Sequence, residues 1–195
     1  MLDYKAAKQE TSRIQFSEEL RKTPKLNPFK LMLLVGFANA MASLDVQMLY
    51  IANPTIQTEK NFVPPGESIP SSTYEWVNNL YQLACASFAV SAGAVGDRLG
   101  QTVAHRWGMA TFVVFSVACG LCKFVSYRFC KYGGFYFLLA FRFLQGISGA
   151  FNEACSMALS SILVRDEDVA KSMTYSTLMY AVTTSCGPFL GGIIV

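Results

Sequence analysis

Five stretches of roughly twenty or more mostly apolar residues recur along the chain, separated by short polar segments, and each is long enough to cross a hydrocarbon core of about 30 Å. The pattern predicts membrane-spanning helices over about 31–56, 74–96, 107–127, 135–163 and 173–195. Asn53 and Pro54 close the first span, and Pro64, Pro65, Gly66 and Pro70 keep the connector at 57–73 out of regular helix. Tyr74 and Trp76 open the second span at the depth where aromatic side chains collect at a bilayer surface. GDRLGQTVAHR (96–106) reads as a polar link; Arg128, Lys131, Gly133 and Gly134 mark the next, and VRDEDVAKS (164–172) forms an acidic turn. The fold class is all-α: five transmembrane helices in an incomplete bundle (31–195) behind a polar tail (1–30).

Composition agrees. The chain is 52% hydrophobic and 15% charged, whereas a soluble domain is about a quarter charged. The net charge of +3 is then a topology signal. Arg21, Lys22, Lys25, Lys30, Arg98, Arg106, Arg165 and Lys171 fall on one side of the predicted spans, and Lys60, Lys123, Arg128 and Lys131 on the other. That bias places the N-terminus in the cytoplasm. No basic stripe interleaved with aromatics is present, which excludes nucleic acid as a partner. The tail lacks the short basic segment and apolar core of a cleaved signal. Cys85, Cys155 and Cys186 lie in apolar runs, and Cys119 and Cys122 form a CxxC with no second pair. These thiols read as small hydrophobes, and with His105 the single histidine neither a metal centre nor a cofactor is expected.

Charges inside the spans change the picture. In FRFLQGISGAFNEACSMAL (141–159), Gln145, Gly146, Gly149 and Glu153 follow Arg142 at intervals that put all five on one helical face. A charge at mid-membrane costs about 2.5–3.5 kcal/mol, so the stripe is either a structural polar seam or part of a transport pathway, and its positions are expected to share one environment. Asp45 stands midway along the first span. It is a candidate proton carrier or counter-ion for a cationic substrate, with a structural ion pair to Arg142 as the alternative. GAVGDRLGQ (93–101) carries Gly93, Gly96 and Gly100 but neither a dinucleotide fingerprint nor a Walker lysine. It reads as a tight cytoplasmic turn whose Asp97 caps the next helix or meets a cation. In CGPFLGGIIV, Gly187, Pro188, Gly191 and Gly192 are expected to kink the last helix and admit a close neighbour.

Taken in order, these pieces resemble the first half of a major facilitator superfamily transporter, and most of all its drug:proton and organic-cation antiporter branches. LDVQMLYIANP (44–54) resembles the acidic segment of helix one, GAVGDRLGQ the loop between helices two and three, RFLQG (142–146) the arginine motif of helix four, and CGPFLGG (186–192) the antiporter motif of helix five. Gln101 and Thr102 stand where the family loop carries basic residues, and Thr183 where the helix-five motif opens with glycine. The resemblance implies proton-coupled export of organic cations or drugs by alternating access. Asp45, Arg142, Glu153 and Gln145 would serve proton coupling and substrate. Gly93, Asp97, Arg98 and Gly100 would form the gating loop. The implied partners are protons, the lipid bilayer and a small cationic or amphipathic molecule, with no enzymatic step. Family members have twelve or fourteen helices in two halves, so a five-helix chain is expected to be truncated and inactive without the other half. A non-transporting membrane protein and a nutrient uniporter or symporter remain alternatives, and plasma and vesicle membranes are equally open.

Overall fold

Each apolar stretch forms a helix in the computed structural model, which describes residues 27–57, 69–122 and 133–194. Helix α1 runs through Pro28–Leu31, a π-helical turn at Met32–Gly36, and Phe37–Gln57. Helix α2 is Trp76–Leu99, entered through a single turn at Ser71–Tyr74. Helices α3 (Gln101–Leu121) and α4 (Gly133–Ile162) follow. A short 3-10 turn at Asp166–Asp168 leads into α5, Val169–Ile194. No strand occurs among the described residues. The tail at 1–26, Pro64, Pro65 and Gly66 of the connector, and Lys60, Lys123, Arg128 and Lys131 lie outside the described residues.

Three expectations need correction. The polar segment 96–106 is not a loop. Helix α2 continues through Asp97 and Arg98, and α3 begins at Gln101, leaving Gly100 as the whole joint. Hydropathy marks where apolar surface ends, whereas backbone hydrogen bonding carries the helix on into charged turns. Asp97 does not cap α3 either; its Oδ1 accepts from Gln101 Nε2 at 2.9 Å. Tyr74 is not at a surface belt but fully buried among Ile69, Val77, Phe135 and Leu138, while Trp76 is exposed. Pro188 sits inside α5, whose helix runs on past it.

Gly100 holds φ 96° and ψ 128°, a backbone region that side chains disfavour. Nothing lies within 4 Å of where its Cβ would stand, so the cost of a side chain there is conformational alone. Gly100→Ala is expected to lose about 1–3 kcal/mol, seen as a lower unfolding midpoint in detergent. An unchanged midpoint would show that the joint has another backbone solution.

Helix α4 is the organiser. It packs most extensively on α2 and α3, while α1 packs chiefly on α5 and touches α4 lightly. Among the described residues α4 is the one helix long and apolar enough to cross a membrane by length and composition. Apolar clusters sit near its two ends: Phe135 and Leu138 join Tyr74 and Val77 at one, and Leu159 joins Val35 and Val164 at the other. Phe135 and Leu159 are about 36 Å apart along the axis at 1.5 Å per residue. Outside the bundle, α3 exposes Trp107, Val113, Val114, Val117 and Leu121, side chains suited to lipid rather than water.

Candidate functional site

Between its apolar ends α4 turns polar, and Arg142, Gln145, Ser148 and Asn152 are buried there. Arg142 Nη1 donates to Asp45 Oδ2 at 2.5 Å and to Gln145 Oε1 at 3.0 Å. Gln145 Nε2 donates to the same Asp45 oxygen at 3.1 Å, and Ser116 Oγ of α3 to the other at 3.2 Å. A carboxylate from α1, a hydroxyl from α3, and a guanidinium and an amide from α4 thus close on one another. Burying an ion pair repays its desolvation only when further hydrogen bonds satisfy the remaining atoms, and Gln145 and Ser116 do this for the carboxylate. The two partners differ in access. The Arg142 side chain is 3% exposed and that of Asp45 is 21%, so the guanidinium is sealed and the carboxylate is still reachable.

Glu153 stands apart from this network. Eleven residues beyond Arg142 it returns to the same angular face, but about 16 Å further along the axis at 1.5 Å per residue. There the helices diverge around a cavity of about 520 Å³ lined by α1, α2, α4 and α5. Glu153 is exposed to it and accepts from the Cys85 thiol at 3.5 Å. The expectation of one shared environment for the stripe therefore fails at Glu153: Arg142, Gln145, Gly146 and Gly149 are buried and Glu153 is not. Axial distance, which helical spacing does not register as a change of face, separates them. Tyr81 of α2 adjoins both regions, lining the cavity with its ring centroid 5.8 Å from Arg142 Cζ.

The other motif residues are dispersed. At Gly187 an added Cβ would come within 2.6 Å of Gln47 Cβ, so this glycine seats α5 on α1 two residues past Asp45. Ser43 Oγ and Thr184 Oγ1, 2.8 Å apart, tie the same seam. Pro188 is exposed, Gly192 faces open space, and Gly191 lies in the same helix. Near the end of α2, Gly93 has open space beside it and Arg98 is exposed.

A family model described as the Major Facilitator Superfamily matches residues 35–195. The chain belongs to the Major Facilitator Superfamily. This is a family of integral membrane transporters, and related proteins in it are named for resistance and export. The chain is 28% identical over 86% of its length to the tetracenomycin C resistance and export protein of Streptomyces glaucescens, covering 28% of that protein. It is 30% identical over 85% of its length to the methylenomycin A resistance protein of Bacillus subtilis, covering 32%. It is 27% identical over 82% of its length to the multidrug resistance protein Stp of Mycobacterium tuberculosis, covering 27%. The chain thus spans about a third of the length of the relatives it matches. No solved structure matches it significantly.

Within this superfamily bundle, sequence reasoning singled out Asp45, Arg142 and Gln145, and the structure brings them together. It missed Ser116, Tyr81, Cys85 and Asn152, which are uncharged and scattered over three helices. A faint signal was available: Tyr81 and Cys85, and likewise Asn152 and Ser156, are spaced to share a face.

Proposed function

We propose that the chain takes part in proton-coupled export of organic cations or drugs by alternating access, its N-terminus in the cytoplasm. The observation that carries this reading is the Asp45–Arg142 pair, a reachable carboxylate held by a sealed guanidinium. A proton arriving at Asp45 cancels the attraction that ties α1 to α4. Arg142 keeps Gln145 Oε1 as an acceptor, so its charge stays hydrogen-bonded while α1 is released. Helix α1 is joined to α5 through Ser43, Thr184, Gln47 and Gly187, and its direct contact with α4 is thin. Protonation would therefore let α1 and α5 shift together against α2, α3 and α4, the kind of two-state element that switching requires. The names of the relatives support a drug-like cargo.

Asp45→Asn tests the coupling, because the amide keeps the shape and most of the hydrogen bonding while losing the charge. The segment 31–195 is placed in the Bacillus subtilis methylenomycin A relative in exchange for its aligned portion, and the chimera is reconstituted in proton-tight vesicles. An imposed pH gradient should drive saturable cation flux, and Asp45→Asn should reduce it at least tenfold while leaving insertion intact. Undiminished gradient-driven flux in the Asp45→Asn chimera would overturn the assignment.

A further inference from the structure

We infer that Asn78, backed by the Tyr74 hydroxyl, is a second mooring on α2 for the Arg142 guanidinium, taken up when Asp45 carries a proton. The inference rests on the coupling reading and adds to it the residues that hold the cation once its carboxylate is neutral.

Three polar atoms facing the α2–α4 seam are buried and have no protein partner among the described residues: Arg142 Nε, Asn78 Oδ1 and the Tyr74 hydroxyl. The first only donates, the second only accepts, and the hydroxyl does either. Buried groups are ordinarily paired, and an unpaired one gives up its hydration for nothing in return. A donor and an acceptor left unpaired side by side are explained by an interaction made in another state of the bundle.

Helix register places them side by side. Tyr74 packs with Phe135 and Leu138, its ring centroid 6.1 Å from that of Phe135. Further along, a Cβ on Gly146 would stand 2.5 Å from the Tyr81 backbone oxygen. The two helices therefore run parallel, and Asn78, between Tyr74 and Tyr81 in sequence, comes level with Arg142. At these spacings Asn78 shares the face that both tyrosines turn toward α4, and it is buried. Side chains lean toward the N-terminal end of their helix, so the amide and the guanidinium tilt the same way along the seam, toward the Tyr74 hydroxyl. The Tyr81 ring, 5.8 Å from Arg142 Cζ, bounds this compartment on the cavity side.

In the present state Arg142 Nη1 serves Asp45 and Gln145, and the Nε edge is unused. Once Asp45 is neutral and α1 shifts, Gln145 is left facing a sealed cation, and a buried charge needs more than one acceptor. A turn of the planar guanidinium about its own stem presents the Nε–H to Asn78 Oδ1. Both residues lie on α2 and α4, the pair that stays packed, so no helix has to move. Asn78 is thus a positioning residue and does not itself take the proton.

Asp45→Asn stands in for the protonated carboxyl, and the full 195-residue chain is unfolded in mixed micelles near neutral pH. Asn78→Leu fills the same space without an acceptor. In the parent it should change the unfolding constant less than threefold, because the acceptor it removes is unpaired there. In the Asp45→Asn protein it should raise that constant at least tenfold, as expected for a lost hydrogen bond to a charged group. Tyr74→Phe, which keeps the ring on Phe135, should act in the same direction and more weakly. Asn78→Asp moves a carboxylate to α2, and should lower the constant of Asp45→Asn at least tenfold while giving the parent no gain. A side chain that merely packs would act equally in both backgrounds. Equal effects of Asn78→Leu in the two backgrounds, or no recovery of Asp45→Asn by Asn78→Asp, would overturn the proposal. Should Asp45→Asn not fold alone, a folded double variant with Asn78→Asp supports the mooring and an unfolded one overturns it. The readout is folding rather than flux. Background-dependent effects at Asn78 beside undiminished gradient-driven flux in the Asp45→Asn chimera refute the coupling reading alone, and background-independent effects beside lost flux refute the mooring alone.

Discussion

Replacing Asp45 with leucine is expected to destabilise the bundle by about 3–5 kcal/mol, the typical cost of removing one partner from a buried ion pair. The reason lies in what remains. The Arg142 guanidinium is 3% exposed, cannot shed its proton, and among the described residues would keep Gln145 Oε1 as its acceptor. Arg142→Met leaves a different problem, a carboxylate that is 21% exposed and can take up a proton to escape its charge. It is therefore expected to cost less than Asp45→Leu. The double variant, Asp45→Leu with Arg142→Met, removes both charges and replaces them with apolar side chains. It should recover most of the stability and none of the proton coupling. Unfolding midpoints of the four proteins in mixed micelles close the cycle. Additive losses would mean that the two residues act independently, and the pair would no longer explain how α1 is held.

How far the sequence discloses this arrangement follows from what each residue must satisfy. Arg142, Gln145, Gly146 and Gly149 were legible because a charge and small residues at helical spacing break an otherwise apolar run. Asp45 was legible by its depth in the first span. That these two meet was open from sequence alone, because nothing in a linear pattern fixes which faces of α1 and α4 oppose each other. Ser116 illustrates the deeper limit: a serine in a mostly apolar helix has no distinguishing pattern until Asp45 is placed 3.2 Å away. Glu153 was assigned to the same stripe as Arg142, and correctly in angle. What spacing could not convey was that the helices part around it. Gly100 is the converse case. Glycine and charge together looked like a loop, yet a single residue at positive φ turns the chain between two helices, and the charged residues beside it belong to helical turns.

Gly146 is where packing and function meet, and its substitution should be the most damaging of any glycine in the bundle. A Cβ there would stand 2.5 Å from the backbone oxygen of Tyr81, 2.8 Å from Ala84 Cβ and 3.1 Å from Tyr81 Cα. Backbone cannot swing aside as a side chain does, so α2 and α4 would have to separate along their most extensive contact. Overpacking of this kind costs about 1–3 kcal/mol, and Gly146→Ala should fall at the upper end, with Gly146→Leu abolishing the native packing. Gly149 offers a graded comparison, because the atom its Cβ would meet, at 2.7 Å, is the Tyr81 hydroxyl, the far end of a side chain that can rotate. Gly149→Ala should therefore be milder in stability while displacing Tyr81 from its place between Arg142 and the cavity. Gly93, with nothing within 4 Å, should accept alanine with a gain of up to about 1 kcal/mol from helix propensity. The expected order of midpoints is Gly93→Ala above the parent, then Gly149→Ala, then Gly146→Ala lowest. A Gly146→Ala protein as stable as the parent would mean that α2 and α4 do not approach this closely, and Tyr81 would lose its position between the ion pair and the cavity.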